Sequence, residues 1–245
     1  MAKSPYRPFT PKPEQQALIP PVSGNAVNGL GETRSRRATY VYWHDPDKLH
    51  HGEMQKWFYT QNMEHDAIKS ARADRDKIHA IELPDVSEEA VQQSAEDWTE
   101  QLTNDAAEFD FELFGIANMN ADWVFDGVDI PYKRVIMIGV AHDYEAIIKA
   151  PDNEAGAEVI RQYGRVAKGA KDVAAWIRER GWDAEPLCGP MAGKMLMIPP
   201  AIECGFGELG KHGSIINEDF GSSFRLAAVL TDLPLVPTER ASYDV

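Results

Sequence analysis

A layered α/β or α+β sandwich carrying an extended N-terminal arm is the fold class this sequence predicts. Three observations lead there. Apolar runs of strand length, above all Arg134–Ala141 (RVIMIGVA), share the chain with segments of helical periodicity, above all residues 154–180. Strands and helices mixed at these spacings pack as layers around a sheet. Residues 1–37, by contrast, are rich in Pro, Gly, Asn and Ser, and Pro5, Pro8, Pro11, Pro13, Pro20 and Pro21 forbid helix over most of the first part.

The elements follow in order. Thr39–Trp43 is a short aromatic and β-branched run, expected to be extended. Residues 53–79 read as one charged helix, and Pro84 breaks the chain. Ser87 before Glu88 and Glu89 reads as an N-cap with acidic residues in the first turn. The helix it opens reaches about Phe109, with Val91, Trp98, Leu102 and Ala106 at helical spacing. Residues 111–117 (FELFGIA) look like a strand. Residues 134–141 are nearly all apolar, so that strand should be central and covered on both faces. In residues 154–180, Val159, Tyr163, Val166, Ala170, Val173 and Ile177 form one apolar face, and Gly181 ends the helix. Residues 182–187 read as a strand and 199–205 as a short helix. Residues 214–217 and 223–230 read as strands joined by an acidic turn ending at Gly221. The expected organisation is an arm over 1–37, a helical region over 38–109 and the core over 110–245.

Composition narrows the function. The 245 residues are 43% hydrophobic, enough for one domain with a real core. A formal net charge of -14 repels nucleic acid and anionic membranes, so neither is an expected partner. No apolar run approaches the ~20 residues needed to span a bilayer. Arg36-Arg37 is not followed by an export core, since His44, Asp45 and Asp47 come next. A soluble cytoplasmic protein is expected. The two cysteines, Cys188 and Cys204, are read as reduced, packed thiols. His44, His50, His51 and His65 lack zinc spacing, and no metal ligand set is assigned. GxSxG and P-loop motifs do not occur. Gly205-Phe206-Gly207 with Gly210 has GxGxxG spacing but follows an expected helix rather than a strand, so dinucleotide binding is not expected. Asp126, Asp129 and Asp143 are single loop acids.

One stretch stands apart. From Pro199 the chain reads PPAIECGFGELGKHGSIINEDFGSSFRLAAVLTDLPLVP. The turn Gly205-Phe206-Gly207-Glu208-Leu209-Gly210-Lys211 and the strand ending Thr231-Asp232-Leu233-Pro234-Leu235 resemble the reductive dehalogenase family and, more distantly, epoxyqueuosine reductase. A second match is RVIMIGVAHDYEAI, Arg134 to Ile147, which looks like the family's central strand and its tyrosine-bearing loop. The resemblance implies a nitroreductase-like sandwich with a central sheet flanked by helices. It implies a corrinoid, cobalamin, as cofactor and an organohalide as substrate. Glycines let backbone come close to such a flat ligand. Gly205, Gly207, Glu208, Leu209, Gly210, His212, Ser214 and Ser222 are the expected cofactor contacts. Without the resemblance, the same stretch reads as a glycine-rich connector.

The resemblance also implies that cobalt(I) attacks the organohalide and a tyrosine protonates the carbon. By motif the donor is Tyr144 and the supporting cation Lys211. A phenol of pKa about 10 is protonated at neutral pH, and a neighbouring ammonium stabilises the phenolate. The alternatives are an aromatic plug at a strand end for Tyr144 and a solvated loop lysine for Lys211.

Family members continue into cysteine-rich runs that hold two iron–sulfur clusters. Each cluster needs about four thiolates, and this chain has two cysteines. The iron–sulfur segment is therefore expected from a missing C-terminal stretch, a partner or an electron-donor protein. Competing readings are a non-catalytic corrinoid-binding or processing protein and an epoxyqueuosine-reductase-like enzyme. The charge of -14 argues against the latter's transfer RNA substrate. A flavin role lacks flavin-specific residues.

Overall fold

The computed structural model describes residues 12–19, 32–189 and 193–240. The chain divides into two compact units, Met1–Ser35 with Tyr40–Gln61 and Arg36–Thr39 with Asn62–Val245. Most of the arm expected over 1–37, and the chain's last five residues, lie outside the described residues.

The first unit contains α1 (Pro13–Gln16), a 3-10 turn over Pro46–Lys48 and α2 (Gly52–Thr60). Thr39–Trp43 is not a strand. Trp43 takes the left-handed region at φ 63°. Buried Gln55 explains the bend: its Oε1 accepts the Trp43 N–H at 2.5 Å, and its Nε2 donates to the His44 carbonyl at 2.8 Å. The Trp43 ring packs edge-on against Phe58 and Tyr59.

The helix expected over 53–79 is two helices. After α2, Gln61 is extended and Asn62 left-handed at φ 52°, a conformation asparagine tolerates. In the second unit, α3 runs Asp66–His79. The next helix, α4 (Ala95–Ala106), starts a full two turns later than expected. Its cap is Ser94, whose Oγ accepts the Asp97 N–H at 3.0 Å, not Ser87. The segment between is spent on a neighbouring helix end. Ser87 N–H donates to the Arg178 carbonyl and Val91 N–H to that of Arg180, which satisfies carbonyls the helix leaves open.

Four strands form the antiparallel sheet: β1 (Leu113–Asn118), β2 (Arg134–Ala141), β3 (Ala184–Leu187) and β6 (Phe224–Thr231). Their spatial order is β1-β2-β6-β3. Between β2 and β3 come α5 (Tyr144–Ile147) and α6 (Asn153–Arg178). Between β3 and β6 come α7 (Ile198–Glu203) and the hairpin strands β4 (Glu208–Leu209) and β5 (Ile215–Ile216).

Strand alternation sorts the core into two layers. Ile136, Ile138 and Val140 of β2 pack with Ala227 and Val229 of β6 toward α6, Trp98 and Leu102. Val135 and Met137 pack with Ala228 and Leu230 toward Ala201, Cys204, Phe206 and Ile215. The expectation that β2 is central and covered on both faces holds: six of its eight residues are buried. The buried surface of α6 is wider than the single stripe expected, because α3 covers a further face of it. Both thiols are free and buried, and burial pushes Cys188 up to about 11 and Cys204 up to about 12.

Gly181 ends α6 at φ +81°, and a Cβ there would stand 2.4 Å from the Ala90 Cα and 2.5 Å from the Glu89 carbonyl oxygen. A left-handed penalty of about 1 kcal/mol adds to a clash with backbone that has no rotamer to escape into. Gly181→Ala is therefore expected to destabilise by roughly 2 kcal/mol or more. Gly213→Ala, at φ +82° with nothing within 4 Å, carries the backbone penalty alone. Urea midpoints of the two variants compare the terms directly, and equal shifts would show that the Ala90 contact is immaterial.

Candidate functional site

Three chain segments converge at one end of the sheet. β2 leaves at Ala141, which faces Phe224 where β6 enters. The His142 N–H donates to the Ser223 carbonyl at 3.0 Å, and His142 Nδ1 lies 3.1 Å from Ser223 Oγ. Glu112, just before β1, accepts the Ala141 N–H at 2.9 Å. Arg165 of α6 binds both Glu112 and Asp110 at 2.7 Å, and it holds the Asp110 carboxyl below the usual range.

Tyr144 stands at this end as the first residue of α5. The Asp143 carboxylate accepts the Ala146 N–H at 3.2 Å and so caps that single turn. The Tyr144 side is turned to solvent, with 70% of the residue exposed.

Behind the turn lies a buried polar layer. Continuing the alternation of β2 puts His142 on the α6 side, and Arg225 of β6 faces the same way, with its guanidinium 5.0 Å from the Tyr163 ring centre. Glu158 of α6 is 3% exposed. Its Oε1 accepts the Asp143 N–H at 2.7 Å and a Gln162 Nε2 hydrogen at 2.7 Å, and Arg161 approaches Oε2 at 3.5 Å. Burial first, then the nearby Arg225 charge, holds His142 down at about 4, while Glu158 pulls the other way. His142 is thus a neutral imidazole at neutral pH. Its Nε2, Gln162 Oε1 and Arg225 Nε are buried without a hydrogen-bond partner among the described residues.

The glycine motif builds the hairpin on the opposite sheet face. Gly205, at φ 76°, ends α7, with Phe206 N–H returning to the Ala201 carbonyl at 2.9 Å. Gly210 N–H donates to the Ser214 carbonyl and Gly213 N–H to that of Gly210, which closes the tip. One of the glycines is required by the chain itself: a Cβ on Gly207 would stand 2.2 Å from the Ile216 carbonyl oxygen, whereas one on Gly210 would meet only side-chain atoms of His212 and Ile216 that can move aside. Glu208 is held by Arg240 at 2.9 Å. Leu209, Lys211, His212 and Ser222 are exposed and Ser214 is half-buried.

The hairpin joins the first group through the turn 217–221. Asn217 and Gly221 exchange backbone hydrogen bonds, and Asn217 Nδ2 donates to the Phe206 carbonyl at 2.7 Å. The chain then enters Ser222 and Ser223, beside His142. The structure thus brings Ser222 to the Tyr144 end, while Lys211 and His212 occupy the exposed tip of the same connection.

The donor set suits a flat ligand with amide and phosphate groups. Lys211, His212 and Ser222 offer exposed donors. At Gly213 and Gly221 nothing lies within 4 Å of where a Cβ would stand. A groove of about 540 Å³ lies at the other end of the sheet, lined by Ile116–Ala121, Trp123, Glu203, Pro237 and Thr238. His142, Glu158 and Arg225 escaped the reading of the sequence. The available signals were the two-residue alternation of β2 carried on to His142, and a Glu158–Gln162 pair one turn apart in the long amphipathic helix.

No protein-family model matches the chain. Its curated relatives are oxidoreductases. They are reductive dehalogenases, the family that the motifs at 134–147 and 205–235 resemble. The tetrachloroethene reductive dehalogenase of Dehalobacter restrictus is 37% identical over 134 residues, 55% of this chain and 24% of that protein. That of Sulfurospirillum multivorans is 25% identical over 172 residues, 55% of this chain and 34% of that protein. The chain therefore spans between a quarter and about a third of the length of these relatives. Among solved structures, a catabolic reductive dehalogenase in complex with 3-bromo-4-hydroxybenzoic acid shares the fold at TM-score 0.60 and 17% identity, over 73% of this chain and 26% of that one. A reductive dehalogenase structure described with B12-dependent dehalogenation aligns at TM-score 0.57 and 16% identity, over 76% of this chain and 26% of that one. Among the described residues, no helix is long and apolar enough to cross a membrane.

Proposed function

We propose that this chain is the corrinoid-binding part of a reductive dehalogenase, built on a nitroreductase-like sandwich and acting on an organohalide. One observation carries the reading. The tyrosine turn after β2 and the serines before β6 meet at one sheet end, and the glycine hairpin leads directly into those serines. Relatives named for tetrachloroethene dehalogenation support it.

The hairpin backbone from Gly205 to Gly213 and the side chains of Lys211, His212, Ser214 and Ser222 would hold the corrinoid. When bound, that group supplies the electrons that break the carbon–halogen bond. Tyr144 then gives its phenolic proton to the carbon that has lost halide. An ammonium nearby would favour the phenolate as the proton leaves. In this reading Lys211, at the exposed tip of the hairpin, would supply that ammonium and a counter-charge for the departing halide. Iron–sulfur clusters, at about four thiolates each, come from another segment or from a partner, since both thiols here are buried and free. The alternative reading is a corrinoid carrier without turnover.

Binding is the first test. The purified chain, incubated with cobalamin and passed through gel filtration, is expected to elute with corrinoid and an altered visible spectrum. A corrinoid-free eluate would remove the site. Halide release from an organohalide under a low-potential chemical reductant then separates enzyme from carrier.

A further inference from the structure

We propose that Glu158 is a positioning residue whose buried carboxylate fixes the turn that presents Tyr144; its catalytic purpose rests on the reading of Tyr144 above. A carboxylate 3% exposed needs a reason to be inside. Ion pairing supplies little of it, because the Arg161 contacts are long: NH1 reaches Glu158 at 3.5 Å. The short bonds of Glu158 are to the Asp143 N–H and to Gln162, both 2.7 Å. Charge-assisted bonds of this kind are about twice as strong as neutral ones. The principal grip of the buried charge is thus on the backbone amide immediately before Tyr144, fifteen residues away in sequence.

The turn needs that grip. α5 is a four-residue helix, too short to hold itself. Its other anchors are local or come from the strand side: Asp143 Oδ1 to the Ala146 N–H, and His142 N–H to the Ser223 carbonyl. Glu158 ties it to α6. Because Tyr144 is 70% exposed, its position is set by the backbone beneath it more than by packing around the ring. Misplacing a reacting group by about 1 Å can cost roughly 10²-fold in rate. The groups facing Glu158 are Gln162 and Arg161 on its own helix, the Asp143 amide on the turn, and His142 from the sheet, on which Arg225 also acts.

Amide hydrogen exchange followed by NMR reads the anchor without any cofactor. Glu158→Ala is expected to speed exchange at Asp143 by about tenfold to a hundredfold, with Glu158→Gln intermediate and Glu158→Asp closer to wild type. Ile136 and Ile138 in β2 should keep their protection. Unchanged exchange at Asp143, or an equal loss at Ile138, overturns the proposal. If Glu158→Ala does not fold, Glu158→Gln decides by the same two amides.

Turnover of the corrinoid-loaded, chemically reduced chain supplies the second readout. Glu158→Gln is expected to lower kcat about tenfold with KM unchanged, and to have no further effect in a Tyr144→Phe background. Equal losses in both backgrounds would show that Glu158 does not act through Tyr144. Wild-type turnover by Tyr144→Phe alone would end the reading of Tyr144 and with it the catalytic purpose of the anchor; exchange at Asp143 would still report the hold itself.

Discussion

Replacing Tyr144 by phenylalanine is expected to lower halide release by roughly 10² to 10⁴-fold in the corrinoid-loaded chain under a chemical reductant, the usual contribution of a positioned proton donor. Corrinoid retention and thermal stability should not change. The substitution removes one hydroxyl from a ring that is 70% exposed, so neither packing nor a buried hydrogen bond is lost. The contrast between a large rate effect and an absent stability effect separates a proton donor from an aromatic plug, whose loss of a hydroxyl would alter neither. Halide release within a factor of two of wild type would take Tyr144 out of the chemistry.

The largest effect on stability is expected at Trp98. The residue is fully buried in α4 and meets Trp176 of α6 edge-on, with ring centres 5.9 Å apart. Trp98→Ala should cost about 3–5 kcal/mol, from lost transfer energy and the cavity left behind. Stabilities of whole domains are about 5–15 kcal/mol, so this change alone could leave the unit partly unfolded at room temperature. Trp98→Phe should cost far less. The indole Nε1 is buried without a hydrogen-bond partner among the described residues, so phenylalanine loses area but also relieves an unpaired donor. Guanidinium midpoints for the two variants test this, and equal losses would mean that the ring's shape, not its burial or its nitrogen, sets the stability.

Elements with strong local signals were legible. β2, β6, α6 and the stop at Gly181 lie within two residues of where alternation, helical periodicity and a glycine cap place them. Segments whose backbone partners are remote were not. Ser87 has the chemistry of an N-cap, yet its amide serves the carbonyl of Arg178, ninety-one positions later. Thr39–Trp43 has strand composition, yet Gln55 holds it in a bend. In both cases a distant hydrogen-bond partner outweighed a local preference of about 1 kcal/mol or less.

The candidate site divides the same way. The sequence by itself determined that a tyrosine follows a buried strand and that a glycine-rich turn leads into another, because alternation and glycine spacing are local properties. It also determined the family resemblance those motifs carry. Only the tertiary structure decided that the two strands are antiparallel neighbours, which puts His142 against Ser223 and Arg225 across β2 and β6. Only the tertiary structure put the Glu158 carboxylate under the Asp143 amide. The reason is physical: which polar groups share a buried layer depends on strand order and on the packing of α6 against the sheet, and neither leaves a periodic mark along the chain.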